Sequence, residues 1–246
     1  MQKRLINHRL FLSFFSIGLL LCCGKAYAQT FSLNTFNTYP LSTAEGTGSL
    51  DLIVKEAFRR IGAGASITRL SSERGLVNAD RGIDDGDFVR IAGLEKTYPN
   101  LVRVREPLCR FEFTVFTRDP SIRIKGWKSL KPYNVGVITG WKILERKIVG
   151  TRSLTMVKNA DALFELLENG RADLVVFDRV EGDALVRQKK LTGIRALRPF
   201  LTERDMYLYL NRRYAGLAPK LARALLDMKR DGAVRRIIKS VPDQGQ

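Results

Sequence analysis

Short runs rich in β-branched and aromatic residues alternate along this chain with stretches whose apolar residues recur at helical spacing, and this alternation restricts the fold more than any other feature. Candidate strands fall at residues 31–36, 65–70, 87–91, 101–104, 111–116, 133–138, 154–157, 172–177, 194–197 and 206–210. Candidate helices lie between them. Leu50, Ile53, Ala57, Phe58 and Ile61 line one, with Ser49 as its cap and Gly62 as its stop. Ala160, Leu163, Leu166 and Leu167 line another, capped by Asn159 and followed by Gly170. Leu221, Ala224, Leu225 and Met228 mark a third, and shorter helices are expected at 72–80, 139–147, 180–188 and 232–239. Strands alternating with helices predict an α/β architecture with mainly parallel sheets.

Residues 1–28 stand outside this pattern. Lys3, Arg4 and Arg9 precede an almost wholly apolar run at 10–23, and Ala26-Tyr27-Ala28 has the small-x-small form of a signal-peptidase site. The segment therefore reads as a cleaved signal peptide and the destination as the periplasm. The apolar run is shorter than the roughly 20 residues of a membrane span. Leu21 and Cys22 stand where a lipidated cysteine needs a small neighbour, which argues against lipid attachment at Cys22 or Cys23. Loss of this leader removes Lys3, Arg4, Arg9 and Lys25, so a net charge of +17 less four becomes +13. The basic residues are interspersed with acids and accompany no nucleic-acid motif. They read as a solvated surface, with no nucleic-acid partner implied.

The only histidine, His8, and two of the three cysteines also lie in the leader. What remains has Cys109 and no histidine, which excludes internal disulfides, Cys/His metal sites and any imidazole-activated nucleophile. Cys109 opens an apolar run and reads as a small buried hydrophobe. Only carboxylate or lysine chemistry is left for catalysis, and no cofactor is implied. A mature length of about 218 residues suits one large domain or two lobes of about 100 each. Polar, turn-rich stretches at 117–121 and 199–205 read as crossings between lobes. They assign 29–117 and 203–246 to lobe 1 and 118–202 to lobe 2, with a ligand cleft between.

Several segments, in this order, carry a resemblance: the leader; Asp85-Gly86-Asp87-Phe88-Val89-Arg90-Ile91 and on to Lys96; Tyr98-Pro99-Asn100 leading to Glu106-Pro107-Leu108; Val135-Gly136-Val137-Ile138-Thr139-Gly140-Trp141; Gly170-Arg171-Ala172-Asp173 leading to Asp178; and Met228-Lys229-Arg230-Asp231-Gly232. Through nearly its whole mature length the chain resembles the family 3 bacterial extracellular solute-binding proteins, receptors that deliver polar amino acids to ABC transporters. The resemblance implies a two-lobed type II periplasmic binding protein fold, each lobe a mainly parallel sheet flanked by helices, with two hinge crossings. It implies a monomer that closes on a small polar ligand and works with an ABC permease. By the same resemblance, Asp178 stands where the family holds the ligand's ammonium group; its other reading is the cap of the helix near Val180. The family's carboxylate-binding arginine falls near Tyr98, where this chain has none. Arg90, at a position of the family that faces the ligand, and Arg74 are the substitutes, and each also reads as a partner for a carboxylate such as Glu73 or Asp87.

The residues add candidates of their own. Thr139 and Gly140 open a helix, whose N-terminus suits an anion. Trp141 and Tyr39 are planar groups able to stack on a ligand, or to serve as core. The leading expectation is a non-enzymatic transport receptor. The others are a sensory module acting on a separate membrane partner and, since relatives of the family include dehydratases, an enzyme using Glu73 with Asp87 or Asp178 as acid and base.

Overall fold

The computed structural model describes residues 29–241. The segment expected to be a signal peptide, with Cys22 and Cys23, lies outside the described residues. The first half contributes β1 (Thr30–Thr35), α1 (Ser49–Arg60), β2 (Gly64–Arg69), α2 (Ser72–Arg81), β3 (Gly86–Arg90) and β4 (Leu101–Arg103). The chain then supplies β5 (Cys109–Thr117), β6 (Asn134–Ile138), α3 (Lys142–Lys147), β7 (Ser153–Val157), α4 (Ala160–Glu168), β8 (Leu174–Asp178), α5 (Arg179–Gln188) and β9 (Arg195–Ala196). It returns through β10 (Thr202–Asn211) and ends in α6 (Ala218–Arg230) and α7 (Ala233–Ser240).

The strands run in the order β2-β1-β3-β10-β5-β8-β6-β7, with β4 added to β10 and β9 to β5. β1 lies parallel to β2 and β3, and β6 parallel to β7 and β8, so each half has a parallel centre. Joining them is β10. Its residues Thr202 to Met206 pair antiparallel with Phe113 to Cys109 of β5, and Tyr207 to Leu210 pair antiparallel with Arg90 to Gly86 of β3. The outgoing chain runs beside it, the Val104 amide donating to the Leu208 carbonyl and the Leu108 amide to the Met206 carbonyl.

This ladder moves the crossings from where the sequence suggested them. β5 pairs with β8, Phe113 opposite Asp178 and Phe116 opposite Val175, so residues 109–117 belong to the second sheet and not to the first. The chain passes between sheets at 104–108 and again at 206–208, rather than at 117–121 and 199–205. Polar turns marked strand ends there, whereas the crossings are set by long-range pairing with β10.

Helix positions follow the apolar spacing. Leu50, Ile53, Val54, Ala57 and Phe58 of α1 and Leu163, Phe164, Leu166 and Leu167 of α4 are buried against their sheets. Asn159 caps α4 by accepting from the Ala162 amide at 2.9 Å. In α1 the cap position is Gly48, not Ser49, because the Asp51 carboxylate takes the Gly48 and Thr43 amides at 3.1 and 3.0 Å. No helix among the described residues is long and apolar enough to cross a membrane.

α5 approaches β5 closely enough that only a glycine fits between them. A β-carbon on Gly182 would sit 2.3 Å from the edge of the Phe116 ring. Gly182→Ala should therefore overpack the second sheet and cost about 1–3 kcal/mol, read as a lower Tm. Adding Phe116→Leu should restore part of the loss, and a double variant no better than the single one would contradict this packing.

Candidate functional site

Where the two sheets meet, β3 carries a bulge. The register with β10 slips between Tyr207 and Leu208, leaving Val89 unpaired and in left-handed backbone at φ 66°. A β-branched residue adopts that conformation only under strain held by its surroundings. Beside it, Arg90 is buried and tied down. Its Nε and Nη2 donate to the two Asp87 carboxylate oxygens at 2.9 and 2.7 Å, Nη1 donates to Ser72 Oγ at 2.5 Å and Nη2 to the Ser72 carbonyl at 2.8 Å. The guanidinium also lies 4.5 Å from the centre of the Phe36 ring. Four of its five N–H donors are thus consumed within the first half. Burial pushes the Asp87 carboxyl up to about 6 against the pull of Arg90.

Opposite Arg90 sits Trp141, held in an aromatic cage. It stacks on Phe177 with ring centres 4.9 Å apart and planes 18° apart, and meets Phe36, Phe113 and Phe111 at 5.3, 5.6 and 6.1 Å. Between Trp141 and Arg90 remains a cavity of about 20 Å³, room for about one water. Most of its lining is apolar, from Phe36, Leu76, Val89 and Ile91 on one side to Phe111, Phe113 and Ile143 on the other. A larger polar groove of about 250 Å³ opens beside it, lined by Thr38, Arg69, Ser71, Lys158, Asn159 and Glu181 among others.

Two polar latches join the halves around these spaces. Glu181 on α5 is buried and reaches across to the first half, accepting from the Thr38 amide at 2.6 Å and from Asn37 Nδ2 at 2.9 Å. Lys142 on α3 pairs with Glu73 on α2 at 2.5 Å, and Glu73 accepts from the Tyr98 hydroxyl at 2.9 Å. Burial alone would raise the Glu73 carboxyl, but Lys142 and Tyr98 together hold it below its ordinary value. Gly140 marks the closest approach: a β-carbon there would lie 2.6 Å from the Glu73 amide nitrogen and 2.9 Å from Ser72 Oγ.

The candidates from the sequence separate into two groups. Arg90, Gly140 and Trp141 line one cavity. Tyr39, Arg74, Thr139 and Asp178 are not among the residues around it; Arg74 and Thr139 are exposed and Tyr39 is partly buried. Asp178 is buried and caps α5, accepting from the Val180, Glu181 and Glu112 amides at 3.0, 3.2 and 3.2 Å, so the capping reading holds. The helix opened by Thr139 and Gly140 begins only at Lys142 and has six residues. Its leading amide, that of Gly140, already donates to the helix's own Glu145 at 2.6 Å, which takes the place expected for an anion. The three carboxylates of the enzyme reading are likewise committed, Asp87 to Arg90, Asp178 to backbone amides and Glu73 to Lys142.

Glu181, Asn37, Thr38, Phe36 and Lys142 were not legible as site residues. The one signal was the Asp178-x-x-Glu181 spacing, which reads as a local capping box; here the glutamate turns to the other half instead. Burial, with Asp178 nearby, pushes the Glu181 carboxyl up to about 8. A group held above its ordinary value contributes stability that is complete below the ordinary carboxylate range and lost as pH rises through about 8. Melting temperature should fall between pH 6 and pH 9, and Glu181→Gln should flatten that decline; equal slopes in the two proteins would refute the assignment. Arg90→Ala should cost about 3–5 kcal/mol by stranding Asp87 in the interior, with partial recovery in an Asp87→Asn background. Chemical denaturation of the three variants measures it.

No protein-family model matches the chain. An uncharacterised protein of Shewanella oneidensis is 26% identical over 194 residues, covering 76% of this chain and 73% of its own. Among solved structures, a histidine kinase sensor domain with similarity to periplasmic binding proteins superposes with a TM-score of 0.77 at 15% identity, over 87% of this chain and 96% of that one. The GluR0 ligand-binding core from Nostoc punctiforme, in complex with L-glutamate, gives 0.73 at 16%, over 87% and 99%. An amino acid ABC transporter substrate-binding protein from Streptococcus pneumoniae, bound to L-arginine, gives 0.72 at 13%, over 86% and 94%. The chain has the fold of these proteins, the two-lobed type II periplasmic binding protein fold.

Proposed function

We propose that this protein is a periplasmic solute-binding protein that captures a small ligand by closing its two lobes, without chemical turnover, and hands it to an ABC permease in the inner membrane. The observation that carries the reading is the pair of latches, Glu181 to Asn37 and Thr38, and Lys142 to Glu73. They lie on opposite halves joined by crossing segments, so they form and break when one half rotates on the other. Similar folds that bind L-glutamate and L-arginine support a small amino acid or related acid as the general ligand class. A second reading, a sensory module acting on a separate membrane protein, is favoured by the histidine kinase sensor domain of the same fold. The two readings share the binding step and differ only in the partner.

The test begins with native mass spectrometry of protein purified without denaturation, to detect a bound small molecule. That molecule, present at 100 times its Kd, should add about 2.7 kcal/mol to stability. Small-angle scattering should show a smaller radius of gyration for the liganded protein than for the latch variant Lys142→Ala with Asn37→Ala. Identical scattering from wild type, liganded protein and latch variant would count against lobe closure.

A further inference from the structure

In the larger groove between the halves the acidic side chains have partners and the basic ones do not. Glu181 accepts from Asn37 Nδ2, the Thr38 amide and the Thr38 hydroxyl at 2.9, 2.6 and 3.2 Å. With its carboxyl pushed up to about 8, it also carries little charge at pH 7. Asp161 is paired with Lys189 of its own half at 2.5 Å. Arg69, at the end of β2, and Lys158, just after β7, line the groove from opposite halves, and neither has an ion pair among the described residues. Two neutral donors stand beside them. The Ser71 hydroxyl makes no capping bond to α2, and Asn159, whose Oδ1 caps α4, has its Nδ2 left to donate. The rest of the wall is largely apolar, from Phe36 and Leu70 on one side to Ile138 and Phe177 on the other. At about 250 Å³ the groove is smaller than the roughly 300–1,000 Å³ of drug-sized pockets, so its occupant is a small molecule.

Resting on the solute-binding reading and narrowing it, we propose that this groove takes a small dicarboxylic acid without an ammonium group, its negative charges meeting Arg69 of one lobe and Lys158 of the other and its carbon body lying against Phe36, Leu70, Ile138 and Phe177. Two like charges that line one groove repel each other, and an anion between them removes that repulsion while adding two attractions. Ser71 and Asn159 supply hydrogen bonds to the remaining carboxylate oxygens. Because the two cations belong to different halves, the ligand adds a contact between lobes beside the Glu181 and Lys142 latches, and binding is thereby coupled to closure. An ammonium group would bring a third cation to a groove whose carboxyls already have partners, which disfavours zwitterions. Arg69 and Lys158 are both exposed, so each contributes modestly and salt weakens the grip.

Calorimetric titration of the purified protein uses two matched pairs that differ by an ammonium group, succinate with L-aspartate and glutarate with L-glutamate, and inorganic phosphate as an anion without a carbon body. The expected result is one-to-one binding of at least one dicarboxylate, with its amino acid counterpart and phosphate at least tenfold weaker, and affinity falling as NaCl rises from about 50 to about 500 mM. Arg69→Gln and Lys158→Gln should each weaken that binding about tenfold, equivalent to about 1.4 kcal/mol, with Tm unchanged because both side chains are exposed. Arg74→Gln removes an exposed cation outside the groove and should leave the affinity as it is, which separates the groove from the general basic charge. Equal loss in all three variants, or no loss in the Arg69 and Lys158 variants, would overturn the inference. L-aspartate, L-glutamate or phosphate binding as tightly as the dicarboxylates would also overturn it and leave the solute-binding reading intact. Binding by none of the five probes sinks it too, and native mass spectrometry then separates the two readings: a different solute found bound leaves solute binding standing, and none found counts against both.

Discussion

One strand serves two sheets, and the site follows from that constraint. β10 gives its first five residues to β5 and its last residues to β3 and β4, so the two halves share a continuous backbone where they meet. Where β10 passes from β5 to β3 its register with β3 breaks between Tyr207 and Leu208, and the bulge at Val89 is that break. Val89, Arg90, Phe111 and Met206, all close to the crossing, line the same cavity. The floor of the cleft is therefore a continuous hydrogen-bonded ladder shared by both halves.

The second governing feature is how charge is handled inside. Each of the buried carboxyls near the cleft has hydrogen-bond partners, Asp87 and Asp178 within their own halves and Glu181 across the junction: Asp87 has Arg90, Asp178 has three amides, and Glu181 has Asn37 and Thr38. Desolvation still wins for all three carboxyls, each held above its ordinary range. A buried pair of this kind adds little net stability but is costly to break, so it fixes geometry more than it strengthens the fold. Arg90 is in this sense a strut between β3 and the start of α2. The strong basic excess of the chain lies elsewhere, on the surface.

Elements and their alternation were legible because strand and helix periods are local: the apolar face of α4 and its Asn159 cap are plain in the sequence. Arg90, Gly140 and Trp141 stood among seven candidates from the sequence, and only the fold brings these three, without the other four, to one cavity. The sheet membership of β5 was not legible, since a nine-residue apolar strand fits either half and only its long-range pairing with β8 decides. Nor was Glu181, whose first-turn place on α5 gives no hint that its carboxyl crosses 143 residues of sequence to meet Thr38. Contacts between halves carry no period and leave no local trace.

Tyr98 shows how one departure from the resembled pattern propagates. A guanidinium at that position would both attract a ligand carboxylate and neutralise Glu73. A phenol does neither: it donates one hydrogen bond to Glu73 at 2.9 Å and leaves the carboxylate its charge. Glu73 is then free to pair with Lys142 of the other half, an ion pair that would be weakened by a competing cation. The phenol at this position thus leaves Glu73 to make a contact between the halves. Function resides in such side-chain choices on a shared scaffold, and here one of them commits the Glu73 charge to a contact between the halves.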